Sequence, residues 1–392
     1  MRLSKYYLKE NFFLKLIDFP ALYNVKTDEL YCLDERAFNL LRAIAEEEEI
    51  SSLVKNDENI TQLINYCLDE GILTKEPVNR INPPIRQAPF PSLRYLELQI
   101  TRRCNLRCKH CFVGEGLSAE LPFELIYKAL KEFEEIQGLR VLITGGEPLL
   151  HREFEKINEL LSELSLRKIL FTNGLLLSDK FLKHLNVEEI QISLDGMEHG
   201  HNSLRGDNTF SKTLEGIKRA IDYGFDVSIA TVIHKENLEE FDELEKLMKS
   251  IKIREWTIDA ITPKGNLKFN EDFVVLPNVA GKIMRKYGFS KEDHPKVEGF
   301  GCGAHLLAIL ATGEVAYCSF FDENPIGHVT EGLEVLWERK RQISLGELEC
   351  SKENCPFIAE CRGGCRYRAF VISGRKTAPD LFKCYQFEKP LS

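Results

Sequence analysis

Residues 95–114, YLELQITRRCNLRCKHCFVG, run from a strand-like apolar segment straight into a loop that carries Cys104, Cys108 and Cys111. Downstream the same theme repeats: a helical period over 123–136, VLIT (141–144), a helix over 154–164, KILFT (168–172), EIQISL (189–194), a helix over 211–223, VSIATVI (227–233), a helix over 238–248 and EWTIDAI (255–261). Short apolar runs that alternate with amphipathic helices pair as parallel strands joined by crossovers. The chain is therefore of the α/β class, with about six strand-helix units before Pro263 forming an open sheet or a barrel. In either case the three cysteines lie at the carboxyl end of the first strand.

Upstream, FFLKLI, ALYNV and ELYCL read as short strands, followed by a helix from 35 to about 46 and two shorter helices ending near Glu70, a small winged-helix-like unit. The stretch PVNRINPPIRQAPFP (77–91) has five prolines and no periodicity, which marks an extended linker. Beyond Gly301 the chain is Cys-rich, Gly-rich and poor in long apolar periods, so it is expected to depend on metal for its stability. The expected divisions are a unit over 1–78, the linker over 79–92, the α/β domain over 93–270, a bridging region over 271–300 and a Cys-rich domain over 301–392.

Composition narrows the function. With 392 residues and 43% of them hydrophobic, the chain is long enough for two or three cored domains. Acids outnumber bases, 61 Asp and Glu against 52 Lys and Arg, so neither nucleic acid nor an anionic membrane is expected as a partner. No run reaches the ~18 apolar residues of a membrane span, and MRLSKYYLKENFF lacks the apolar core of a signal peptide. A cytoplasmic location is expected. In a reducing compartment, 12 cysteines crowded into particular stretches argue for metal rather than for disulfides.

The loop spacing decides which metal. Three thiolates on one short loop can hold three irons of a 4Fe-4S cube and leave the fourth open to an outside ligand. A structural zinc site wants four closed ligands, and the loop supplies three. This C-x3-C-x2-C pattern resembles the radical S-adenosylmethionine (SAM) superfamily, and the resemblance covers the whole middle segment. It implies a partial (β/α)6 barrel of TIM type, a 4Fe-4S cluster on Cys104, Cys108 and Cys111, and SAM chelated to the open iron. It further implies His110 near the adenine, Gly145, Gly146 and Glu147 at the SAM amino group, Ser193 and Asp195 at the ribose and methionyl end after Thr172-Asn173-Gly174, and Arg205 near the SAM carboxylate. Asn237 and Gly265 match looser positions of the same family.

Seven further cysteines follow in the order C-x10-G-x4-C, gap, C-x4-C-x5-C-x3-C, gap, C. This is similar to the SPASM extension of radical SAM peptide maturases, with four residues where that pattern has two between its third and fourth cysteines. The resemblance implies two auxiliary iron-sulfur clusters, the nearer on Cys302, Cys318 and Cys365 and the farther on Cys350, Cys355, Cys361 and Cys384. Zinc-ribbon sites are the competing reading, because zinc also takes four thiolates. Cys32 and Cys67 lie in apolar contexts and are assigned no chemistry.

Residues 1–78 resemble the PqqD-like recognition element that binds the leader of a ribosomally made precursor peptide, carried by LYNVKTDELYCLDERAFNLLRAI and ENITQLINYCLDEGILTKE. In that family the leader adds a strand beside 29–33. The rival for a winged helix is DNA binding, but residues 58–70 contain no Lys or Arg to meet phosphate; a structural cap on the barrel is the other alternative. The expected function is thus a radical SAM oxidoreductase that installs a crosslink, a thioether by preference, in a precursor peptide of the sactipeptide or ranthipeptide kind. An external donor of flavodoxin or ferredoxin type would supply its electrons. A protein, haem-precursor or other cofactor-precursor substrate is the alternative, and a non-catalytic metal or electron carrier is the third reading.

Overall fold

The computed structural model describes residues 5–48, 50, 58–80, 82–114, 118–290 and 294–388. At the amino end, β1 (Tyr7–Leu8) is followed by β2 (Phe12–Leu16), β3 (Pro20–Asn24) and β4 (Glu29–Cys32), the last three forming an antiparallel meander in the order β2-β3-β4. Helix α1 (Glu35–Ala45) starts at Asp34, whose carboxylate accepts from the Ala37 amide at 2.8 Å, satisfying an otherwise orphaned donor. It buries Phe38, Leu41 and Ile44 along one face, and α2 (Glu58–Asp69) adds Ile64 and Cys67 to the same core before β5 (Leu73–Thr74) returns to pair with β1. The other short helix expected before α2 falls on 51–57, outside the described residues.

Six strands then stand side by side in chain order, all parallel: β6 (Tyr95–Thr101), β7 (Arg140–Gly145), β8 (Arg167–Thr172), β9 (Glu189–Ser193), β10 (Asp226–Ile233) and β11 (Glu255–Ala260). The helices α3 (Phe123–Glu135), α4 (Phe154–Leu161), α5 (Glu198–Arg205), α6 (Thr209–Asp222) and α7 (Phe241–Ser250) lie in the crossovers. The α/β barrel arrangement expected from the sequence is the one observed. Leu96, Leu98, Ile100, Val141, Ile143, Ile190, Ile192 and Ile229 are fully buried in one core with Leu130, Phe133, Ile157 and Ile217 from the helices, and each such side chain contributes roughly 1.5–3 kcal/mol. Strand side chains alternate between faces, so Glu97 and Gln99 point to the opposite side of β6, where Glu97 meets Ser319.

Some details differ from the sequence reading. Helix α7 begins at Phe241 rather than at 238, because residues 235–240 form a 3-10 turn in which the Asn237 carboxamide accepts from the His234 amide. The sheet also continues past the barrel: after α8 (Pro277–Lys286), β12 (Leu306–Ile309) pairs in parallel with the free edge of β6, and β13 (Glu314–Ala316) and β14 (Gly327–His328) extend it antiparallel to nine strands. Helices α9 (Leu333–Arg339), α10 (Arg366–Ser373) and α11 (Leu381–Gln386) complete the C-terminal segment. No helix among the described residues is long and apolar enough to cross a membrane.

The amino-terminal unit is fastened to the floor of the barrel by two buried carboxylates. Asp28, in the β3–β4 turn, lies 2.5 Å from Arg140, 3.5 Å from Arg254 and 3.8 Å from Arg167, and accepts from the Tyr23 hydroxyl at 2.7 Å. Arg167 also donates to the Val25 and Lys26 carbonyls at 3.0 and 2.6 Å, while Glu189 and Asp226 each meet it at 2.8 Å. Asp18 pairs with Arg94 at 2.5 Å and accepts from the Ser92 amide and hydroxyl. The Pro-rich stretch is held as well, through Ala88 N to Leu16 O at 2.8 Å and Trp337 Nε1 to Pro91 O at 2.6 Å.

Candidate active site

Strand β6 ends at Thr101 and hands the chain to the cysteine loop at the carboxyl end of the barrel. The turn after β7 presses against this loop backbone to backbone: Gly146 N donates to Thr101 O and Glu147 N to Arg103 O, each at 2.8 Å. A Cβ on Gly145, at φ +151°, would stand 2.2 Å from Thr101 O, and one on Gly146 2.4 Å from Arg103 O, so only glycines allow this approach. On its far side the loop is held by residues 265–270. Asn266 donates from its amide to Cys111 O at 3.0 Å and from Nδ2 to Cys108 O at 3.1 Å, and Asn270 Nδ2 donates to Lys109 O at 3.2 Å.

The three thiols share one electrostatic neighbourhood. Burial pushes Cys108 up to about 11, with Arg205 pulling it down and Cys111 and Cys104 pushing it further up. Thiols that oppose one another's ionisation become thiolates when a cationic centre compensates them, which is what an iron-sulfur cube provides, so the donor set fits that group. Around the loop the structure gathers Arg205 and Asp195, an ion pair at 2.5 Å, and His110, whose Nδ1 is buried without a partner among the described residues. Burial first, then Arg205, lowers His110 to about 3, so its ring is neutral.

Asp195 itself is braced from every side. Its Oδ1 accepts from the Val232 amide at 2.9 Å, its amide donates to His201 Nδ1 at 3.2 Å, and its carbonyl accepts from His234 Nε2 at 3.1 Å and from Asn237 Nδ2 at 2.8 Å. Ser193, half-buried at the end of β9, stands two residues away. Glu147 is fully buried and accepts from Thr172 Oγ1 at 2.9 Å and from the Asn173 amide at 3.0 Å. Burial pushes it up to about 7 against those hydrogen bonds. Asn173 also donates to Asn105 Oδ1 at 2.8 Å, which ties the end of β8 to the cysteine loop. The sequence did not single out His201, His234, Asn105, Asn266 or Asn270; a Gly-Asn turn directly after β11 was the available signal for Asn266.

The C-terminal cysteines fall into two groups. Cys350, Cys355, Cys361 and Cys384 line one small pocket with Phe357 and Asp380. Cys318 is pushed up by burial, then by Glu97, Cys302 and Cys365, and Cys365 responds to Cys302 in turn. Among the described residues no three His, Cys, Asp or Glu side chains converge as ligands of a single ion would, whereas thiolates on separate corners of a cube stand farther apart. Phe112, next to Cys111, packs on Phe320 with centroids 4.9 Å apart, and Phe320 on Tyr367 at 5.4 Å, so aromatic rings fill the space between the cysteine loop and the C-terminal segment.

A parallel α/β barrel with a three-thiol loop at the mouth of its first strand and a buried carboxylate at its second defines a class of cofactor-dependent redox enzymes. Residues 98–248 match the radical SAM superfamily, and the AdoMet-dependent heme synthase of Methanosarcina barkeri is 30% identical over 332 residues, covering 72% of this chain and 93% of that protein. The chain belongs to the radical SAM superfamily, which implies a 4Fe-4S cluster and SAM as its cofactors. The sporulation killing factor maturation protein SkfB of Bacillus subtilis is 26% identical over 300 residues, covering 68% of this chain and 72% of that one. Streptococcus suis SuiB, in its crystal structure with precursor peptide SuiA, shares the fold with a TM-score of 0.69 at 16% identity, over 96% of this chain and 98% of SuiB.

Proposed function

We propose that this chain is a peptide maturase that crosslinks a ribosomally made precursor, with a thioether as the bond. The observation that carries this reading is the amino-terminal unit: the likeness to SuiB, a protein solved with its precursor peptide, spans 96% of the chain and so leaves too few residues out to omit it. In this unit β4 pairs only with β3 among the described residues, which leaves an open edge beside α2 for strand addition by a leader. Residues 1–78 would hold the leader, 93–270 the radical chemistry and 301–392 the auxiliary clusters of a SPASM-like segment.

When bound, the first cluster and SAM supply a 5'-deoxyadenosyl radical and methionine, and auxiliary clusters supply an acceptor for the electron that crosslinking releases. Cys104, Cys108 and Cys111 would hold the first cluster; Glu147, Gly145 and Gly146 would receive the SAM amino group, Arg205 its carboxylate, Ser193 and Asp195 its ribose and methionyl end, and His110 its adenine. Cys302, Cys318 and Cys365 would hold the nearer auxiliary cluster and the four pocket cysteines the farther one. The chain itself orients these groups and keeps water from the radical carbon.

The test is incubation of the anaerobically reconstituted enzyme with SAM, a flavodoxin-type donor and the Cys-containing peptide of a neighbouring short reading frame, followed by mass spectrometry. A peptide lighter by two hydrogens is expected. An unchanged peptide beside a converted haem precursor would favour the second reading, for which the 30% identity to a heme synthase speaks.

A further inference from the structure

A buried cation stands beside the three-thiol site of the C-terminal segment without a task in the reaction described so far. Lys340, which follows α9, is 4% exposed, and its ammonium donates to the carbonyls of Gly303 and Leu306, each at 2.5 Å. Gly303 adjoins Cys302, so Nζ is fixed by backbone one residue from a thiol, with the Trp337 ring 4.6 Å away. Burial lowers Lys340 to about 8, and Cys302, Cys318 and Glu97 oppose that shift. Glu97 approaches from the interior face of β6, where its carboxylate accepts from the Ser319 amide at 2.8 Å and hydroxyl at 2.6 Å, next to Cys318.

Carbonyl dipoles satisfy hydrogen bonds but do not neutralise a buried ammonium, which requires a counter-charge. Glu97 supplies part of it; neutral thiols would add nothing, whereas thiolates bound to iron would. Resting on the reading that Cys302, Cys318 and Cys365 hold an iron-sulfur cluster, we propose that Lys340 and Glu97 are opposed tuning charges of that cluster, Lys340 raising its reduction potential and Glu97 lowering it. Reduction adds one electron and therefore one negative charge to the cluster. A fixed cation in a water-poor site favours the reduced form, and a fixed anion the oxidised form. Lys340 would in this way suit the cluster to take up the electron that the crosslinked substrate gives up.

The experiment is a redox titration followed by electron paramagnetic resonance on the full-length, anaerobically reconstituted enzyme, with iron and sulfide counted first. Lys340→Met is expected to lower the auxiliary midpoint by about 59 mV, a tenfold fall in the reduced-to-oxidised ratio at fixed potential, while Lys340→Arg holds it and the first cluster stays in place. Glu97→Gln keeps an acceptor for Ser319 and is expected to move the same midpoint upward. Shifts of the same sign, or none, overturn the proposal, because a structural lesion would not reverse with the sign of the charge removed. If Lys340→Met loses its iron, Glu97→Gln decides alone: an upward shift supports the pair and an unchanged midpoint overturns it. Wild-type enzyme with full occupancy elsewhere but no iron on Cys302, Cys318 and Cys365 would instead overturn the cluster reading beneath it.

Discussion

Glu147 shows what burial does to one carboxyl. Burial raises it to about 7, so the folded chain binds this proton more tightly than the unfolded chain does. The resulting penalty, on the order of 3 kcal/mol from the size of the shift, is absent below the unfolded value and complete once pH exceeds the folded one. In the proposed reading a cationic ligand reverses the balance, because a SAM ammonium held at Glu147 would prefer the ionised form. SAM affinity is therefore expected to fall toward tenfold per unit as pH drops below 7, and Glu147→Gln to weaken binding and flatten the profile; equilibrium binding across pH 5.5–8 checks both. Gly265 makes a second case. At φ +57° its missing Cβ would lie 2.2 Å from Cys111 O, so Gly265→Ala is expected to displace the cysteine loop and lose first-cluster iron, whereas Asn266→Ala, which removes one hydrogen bond worth about 1 kcal/mol, is expected to retain most of it. Iron analysis and 5'-deoxyadenosine formation distinguish the two. The cysteine loop and the Gly-Gly-Glu turn that packs on it were legible because each is contiguous in the chain and follows a strand. His201 and His234 were not, since a buried imidazole that braces Asp195 leaves no pattern along the chain.

Among the elements, the parallel strands announced themselves through runs of buried aliphatics, and α5 did not, because EHGHNSLR is polar almost throughout and its helix exists to place Arg205. Strand β12 is only four residues long, too short for any period to separate it from a core turn. The floor of the barrel was equally hidden, since Asp28 and its arginines are far apart in sequence. Asp28→Asn removes the carboxylate and leaves three guanidinium groups facing two acids in a buried site. It is expected to destabilise the protein by about 3–5 kcal/mol at neutral pH, measured by denaturant titration. Deleting 1–78 would expose the same arginines, so leader binding is better tested at the open edge. Leu33 N donates to Pro20 O, and in an antiparallel ladder the bonding positions alternate, so the Cys32 amide points away from β3. Cys32→Pro is then expected to weaken precursor binding about fivefold and to leave SAM cleavage in the absence of peptide unchanged, as read by calorimetry and nucleoside assay.

Across the whole molecule, two kinds of adhesion meet. The barrel coheres through an apolar core that Leu307, Ile309, Val315, Leu333, Leu336 and Trp337 of the C-terminal segment share, whereas the short elements around the cysteine-lined spaces owe much of their stability to metal in the proposed reading. The two also meet through the β6–β12 ladder and the Phe112–Phe320–Tyr367 rings, so loss of a distal cluster should loosen the elements around it without opening the barrel mouth. Cys361 lines the distal pocket and lies far along the chain from the cysteine loop of the barrel. Cys361→Ser is expected to lose the iron of one cluster, to lower the melting temperature, and to keep forming 5'-deoxyadenosine while crosslinked peptide falls at least tenfold. Cys108→Ala is expected to abolish the nucleoside and the crosslink together. Equal loss of nucleoside in the two variants would mean that the C-terminal thiols serve the SAM site directly, and the division of labour between barrel and tail would have to be given up.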